Sequence, residues 1–218
     1  MKLKAIGIST ALLMLHLNAM ASEPAKSGIY ASGMLSYNGI SGELHHNYDG
    51  SDYEKLKGGA GAGIFVGYDY ALNSNITLGV KTGFQYISDI YHETVNYGSI
   101  TDKRSVSIES LPIMITGKYF FYSGWLVGAS AGIDIKRNKY DINLQTTPSA
   151  NGNSNSNWSI DPIVEVLGGY QWQNGLGIIG SIAYSAGESL NDREIPNSDN
   201  KAYNYLRIGV ELKYTFAL

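Results

Sequence analysis

The last sixteen residues, 203–218, read Tyr-Asn-Tyr-Leu-Arg-Ile-Gly-Val-Glu-Leu-Lys-Tyr-Thr-Phe-Ala-Leu, and they restrict the fold more than any other stretch. Leu206, Ile208, Val210, Leu212, Tyr214 and Phe216 share one face; Arg207, Gly209, Glu211, Lys213 and Thr215 share the other. Strict alternation of this length is a β-strand, because successive side chains on a strand point to opposite faces. The strand is longer than a usual globular one and matches what a tilted strand needs to cross a bilayer. An apolar face ending in aromatics, backed by a charged face, suits a wall with lipid outside and a polar lumen inside.

The same alternation recurs along the chain. Strands are predicted at about 28–37, 58–70, 76–87, 105–119, 125–136, 158–172, 176–186 and 203–218. The turns at 71–75, 120–124 and 173–175 are short, and Asn174-Gly175 is a strong hairpin signal. Long polar loops are predicted at 38–57, 88–104, 137–157 and 187–201. The run 151–157 is Asn-Gly-Asn-Ser-Asn-Ser-Asn; it cannot bury apolar area and is expected to be mobile. In the fourth strand Val106 and Ile108 alternate in one phase and Leu111, Ile113 and Ile115 in the other. This predicts a β-bulge beside Pro112. The fold class is therefore all-β: an eight-stranded antiparallel up-and-down transmembrane β-barrel with short turns at one end and long loops at the other. A soluble barrel or sandwich would alternate too, but with its apolar face inward and no aromatics sorted to both strand ends.

Parity then assigns the interior. Lys81, Lys118, Asp134, Glu165, Arg207, Glu211 and Lys213 are predicted to point into the lumen. Eight strands leave an interior that side chains just fill. These charges are expected to pair across the lumen and plug it, since one desolvated alone costs several kcal/mol.

The first residues supply an address. Lys2 and Lys4 precede the apolar run 5–17, and Ala19-Met20-Ala21 follows, the pattern of a secretory signal peptide. Domain organisation is then a signal peptide over 1–21 and a barrel domain over 22–218. An N-terminal anchor is the alternative, but the apolar run is short for a span. Loss of Lys2 and Lys4 takes the formal charge from -3 to about -5, which disfavours nucleic acid as a partner. Mean hydropathy is -0.13, so only the alternation reveals the membrane.

These features resemble the small eight-stranded outer-membrane proteins: opacity-protein-like, OmpX-like and OmpA-membrane-domain-like barrels. The resemblance covers the whole mature chain and is most specific at Arg207-x-Gly209-x-x-Leu212-x-Tyr214-x-Phe216. It implies that Gly209, Leu212, Tyr214 and Phe216 form the signal read by the outer-membrane assembly machinery. The segment 111–119, Leu-Pro-Ile-Met-Ile-Thr-Gly-Lys-Tyr, also looks like the fourth strand of opacity-type barrels.

Little in the sequence suggests chemistry. There is no cysteine. His45, His46 and His92 fall in predicted loops, with Glu43 and Asp49 near the first two. Adjacent His side chains on an extended chain point apart, which argues against a metal site. A Ser-His-carboxylate hydrolase needs its His beside the Ser at the barrel wall, and no His falls on a predicted strand. Gly58-Gly-Ala-Gly-Ala-Gly63 has no helix after it to cradle a phosphate. We therefore expect no catalytic residues, metal or cofactor. The expected function is structural or host-interacting, adhesin- or opacity-like, through four outer loops. The expected partners are outer-membrane lipid, the assembly machinery and host-surface or matrix molecules, and the expected state is a monomer. The rivals are a narrow solute channel and, more distantly, a lipid-modifying enzyme. We predict that the protein isolated from membranes starts at Ser22; N-terminal sequencing that returned Met1 would replace the cleaved signal with an anchor.

Overall fold

A computed structural model describes residues 25–41, 53–97, 100–146, 149–186 and 204–217. The strands are β1 (Gly28–Ser41), β2 (Tyr53–Lys57), β3 (Gly59–Ala71), β4 (Ile76–Tyr97), β5 (Ile100–Phe120), β6 (Trp125–Thr146), β7 (Ser149–Gln171), β8 (Leu176–Ser185) and β9 (Asn204–Ala217). Their sheet order is β2-β4-β3-β1-β9-β8-β7-β6-β5, and a β4–β5 pairing closes it. β2 and β3 both lie along the same edge of β4, at different heights, and count as one wall strand. The result is a closed eight-stranded antiparallel barrel.

Burial follows parity throughout. On β3 the outward Ile64, Val66, Tyr68 and Tyr70 are exposed, while Phe65 and Asp69 are buried. On β9 Arg207, Glu211, Lys213 and Thr215 are buried, and the alternate apolar residues are exposed. A soluble fold would reverse this. The outward apolar run on β4 extends from Ile76 to Tyr86. At about 3.3 Å per residue and a tilt of about 40°, it makes a belt about 25 Å tall, the height of a bilayer's apolar band.

The short turns have specific causes. Asn73 Oδ1 accepts the N–H groups of Asn75 at 2.8 Å and Ile76 at 2.9 Å, which turns the chain between β3 and β4. Between β7 and β8, Gly175 N–H donates to Trp172 O at 3.0 Å, with Gly175 at φ 88°. That left-handed residue is why the turn closes with Gly in a three-residue loop rather than the two-residue hairpin that Asn-Gly suggests. The turn between β5 and β6 is built the same way.

Three expectations are corrected. First, 88–104 and 137–157 are not loops. β4 pairs β5 up to Tyr97↔Ile100, and β6 pairs β7 up to Thr146↔Ser149. The Asn/Ser run 151–157 lies in that ladder opposite residues 138–144. Ladder bonds are backbone bonds and need no apolar side chain. Outside the bilayer neither face of a strand has to be apolar, so the pattern that marks a strand fades while the ladder continues. His92 therefore sits on β4, opposite Ser105, and not in a loop. Second, Pro112 marks no bulge. β5 pairs β6 without a break from Ile100↔Thr146 to Phe120↔Leu126. Val106 and Ile108 keep the same parity and simply point inward. The irregularity lies instead in β4, between Ile87 and Tyr91. Third, the first outer loop is shortened from below by β2, whose residues pair with 91–95 of β4. His45, His46, Glu43, Asp49, the segment 1–21 and the loop 187–201 lie outside the described residues.

Because the upper ladders stand clear of the belt, replacing residues 143–152 by Asn-Gly should leave the barrel intact. The variant should still migrate differently on gels before and after boiling; loss of that shift would mean the upper hairpin is needed for folding.

Candidate functional site: the filled lumen and the outer rim

The inner face carries five buried cations, Lys81, Lys118, Lys136, Arg207 and Lys213, and five buried acids, Asp69, Asp134, Asp161, Glu165 and Glu211, among the described residues. Parity puts them there, and closure decides which of them meet. They form three layers.

The layer nearest the short turns is centred on Asp69 of β3. Lys118 Nζ of β5 donates to both its oxygens, at 2.8 and 2.7 Å, and Lys213 Nζ of β9 donates at 3.0 Å. The Tyr30 ring of β1 lies 4.6 Å from Lys118 Nζ and 4.3 Å from Lys213 Nζ, a cation–π contact with both. In the middle layer, Lys81 reaches across the lumen to Glu211 at 2.7 Å and to Glu165 at 3.5 Å. Arg207, fully buried, donates to Glu165 and to Gln85, both at 2.8 Å. Gln85 donates onward to Ser36 Oγ at 2.8 Å. In the outer layer, Lys136 pairs with Asp161 at 2.8 Å, and Asp134 accepts from Ser110 and from the Tyr205 hydroxyl.

Between these layers the inner faces of β5–β8 also carry apolar side chains. Phe120, Leu126, Leu167 and Ile179 from β5–β8 form a wedge near the short turns. Met114, Ile163 and Ala183 form a second cluster. Ala25 packs under the first wedge, and its N–H donates to Ser74 O at 2.8 Å, so the segment before β1 lies across the mouth. Charges and wedge together occupy most of the lumen, leaving a cavity of about 10 Å³ beside Lys118 and Lys213 and an open pocket at the short-turn mouth bordered by Asp69 and Phe120.

Of the seven charges named from the sequence, all buried on the inner face, Lys81, Glu165, Arg207 and Glu211 meet in the middle layer, Lys118 and Lys213 meet on Asp69, and Asp134 bonds to Ser110 and Tyr205 instead of to another of the seven. Asp69 and Asp161 fall on the same inner faces by alternation, and the structure adds Lys136 and the inner aromatics Tyr30 and Tyr205. Each was available from parity alone: Tyr30 alternates with Ile29 and Ala31, and Lys136 follows Asp134 by two. Of the four terminal-strand residues, Leu212, Tyr214 and Phe216 face lipid, and Tyr214 and Phe216 meet edge-to-face at 4.8 Å. Gly209 faces inward, beneath the Met34 sulfur.

Outside, the belt ends in one row. Tyr86, Glu109, Arg137 and Trp158 stand opposite one another on β4, β5, β6 and β7. Arg137 lies 5.8 Å from the Trp158 ring and 3.7 Å from Glu109, which Lys139 also meets. Mixed aromatic and charged side chains at the rim fit the membrane–water boundary. Among the described residues no group of three or more His, Cys, Asp or Glu side chains is placed to hold a metal ion.

A closed barrel with an outward apolar belt, aromatic ends and an ion-paired interior is an integral membrane barrel of the outer-membrane type. The outer membrane protein beta-barrel domain matches residues 8–161, and the chain belongs to that family. No curated protein matches the chain in sequence. The fold is similar to that of Neisserial surface protein A (NspA), with 14% identity, a TM-score of 0.50, and coverage of 87% of this chain and 100% of that one. Ail of Yersinia pestis matches with 10% identity and a TM-score of 0.44 over 89% of this chain and 100% of its own. OprG from Pseudomonas aeruginosa matches with 11% identity and a TM-score of 0.46, over 90% and 99%.

The Arg207 guanidinium joins two partners at the centre of the lumen. Arg207→Ala leaves Glu165 buried with only the longer contacts to Lys81 at 3.5 Å and to the Ser130 hydroxyl at 3.3 Å, and we predict a loss of about 3–5 kcal/mol of stability. Urea unfolding in lipid vesicles, followed by the gel shift, measures it; a loss below about 1 kcal/mol would mean water reaches the pair.

Proposed function

We propose that the protein is a surface-exposed, non-catalytic barrel of a Gram-negative outer membrane that acts as a structural or host-interaction protein through its outward segments. The observation that supports this reading is the pair of hairpins, β4–β5 and β6–β7, whose ladders run on past the Tyr86–Trp158 row. A rigid scaffold presenting outer segments is the usual arrangement for recognition. The partner class in this reading is host-surface or matrix molecules, with outer-membrane lipid around the belt, and the barrel acts as a monomer. Residues 1–21 serve as its export signal. Gly209, Leu212, Tyr214 and Phe216 serve as the assembly signal, for which the lipid-facing aromatics of β9 are suitable handles. The deciding comparison is binding of whole cells to immobilised matrix components with the wild-type protein, with none, and with 143–152 replaced by Asn-Gly. Binding that needs the protein and falls with the shortened hairpin is the expected result; equal binding by all three rejects the role.

The rival reading is a narrow channel. The ion pairs and apolar wedge favour the surface role, because a lumen closed by paired side chains leaves solutes no path. We predict little steady conductance from the pure protein in planar bilayers. A stable, large conductance would promote the channel.

A further inference from the structure

We infer that the lumen holds a binding site for one small monovalent anion, such as chloride, beside the Lys118–Asp69–Lys213 cluster. A cavity of about 10 Å³, room for a single water-sized sphere, is lined by Tyr30, Lys81, Thr116, Lys118, Glu211 and Lys213, with Leu167 and Ile179 on its apolar side. Charge is the first argument. Two ammonium groups answer one carboxylate in this layer, whereas the Lys81 charge is already met by Glu211 at 2.7 Å. Excess buried charge is expensive unless a counter-ion or the loss of a proton removes it.

The donors are the second argument. Asp69 takes three N–H bonds from the two lysines, and each ammonium carries three, so donors remain. Tyr30 and Thr116 are each only 1% exposed, and their buried hydroxyls have no hydrogen-bond partner among the described residues. Ammonium groups only donate, and both hydroxyls can donate. A pocket of donors with surplus positive charge fits a ligand that only accepts. Glu211 also borders the cavity, but it is occupied by Lys81. The volume excludes phosphate, sulfate and carboxylic acids. This site is independent of what the outer hairpins bind.

The test uses the folded barrel in detergent. Crystals grown with bromide in place of chloride should give an anomalous peak between the Lys118 and Lys213 side chains. At equal ionic strength, chloride should raise the thermal midpoint above that in gluconate by at least about 2 °C, since a ligand bound only by the native state stabilises it. Lys213→Met keeps the Lys118–Asp69 pair, removes the surplus charge and should lose that increment; Thr116→Val should reduce it. A water without anomalous signal at the site, or an equal chloride increment in wild type and Lys213→Met, overturns the proposal.

Discussion

Backbone closure is the constraint from which the rest follows. Inside hydrocarbon no water can satisfy an open strand edge, so the sheet must return on itself. The β1–β9 seam does this from Gly28↔Ala217 to Ser41↔Asn204, and β4–β5 joins the other end of the order. Closing at eight walls fixes a lumen that only side chains can occupy. Everything on the inner face must then find a partner on that face. That is why Lys81 of β4 meets Glu211 of β9 across the barrel, and not a neighbour along its own strand.

The ion pairs are costly ornaments if judged by stability alone, because well-packed apolar side chains would serve as well or better. Their value is clearer in register. A one-residue slip of β9 would send Arg207, Glu211 and Lys213 into lipid and Leu212, Tyr214 and Phe216 into the lumen. Arg or Lys on the lipid face at mid-bilayer costs about 2–4 kcal/mol each. Charged inner faces therefore make wrong registers much worse than the native one. The apolar wedge, Phe120 with Leu126, Leu167 and Ile179, cannot discriminate this way, and there the charges elsewhere on β5–β7 and the outward residues must carry the register.

Legibility in the sequence follows the same physics. Parity is a property of one strand, so the faces of Lys81, Asp134, Glu165 and Arg207 could be read without knowing any neighbour. Partnership is a property of closure and tilt. Asp69 meets Lys118 over an intervening β4, and Lys213 over an intervening β1, and no local pattern specifies either. The upper hairpins were invisible for a different reason. Residues 88–97 and 149–157 carry ladder bonds in water, where neither face has to be apolar. Val106 and Ile108 mimic a phase slip because apolar side chains on a membrane strand usually mark the lipid face, whereas this lumen is itself partly apolar.

The unbroken β5–β6 ladder joins these two regions mechanically. It runs from Ile100↔Thr146 above the belt to Phe120↔Leu126 beside the short turns, with no bulge between. Contacts made at its tip therefore act on a strand pair whose lower half is fixed by lipid outside and by Lys118, Asp134 and Lys136 inside. β4 differs: its irregularity between Ile87 and Tyr91 falls just above the Tyr86 row, where pairing with β3 ends at Ile87 and pairing with β2 begins at Tyr91. The barrel changes there from a closed wall into an upright sheet. Extra residues are tolerated at that level because water can satisfy the backbone groups that a bulge leaves unpaired, which lipid a few residues lower could not.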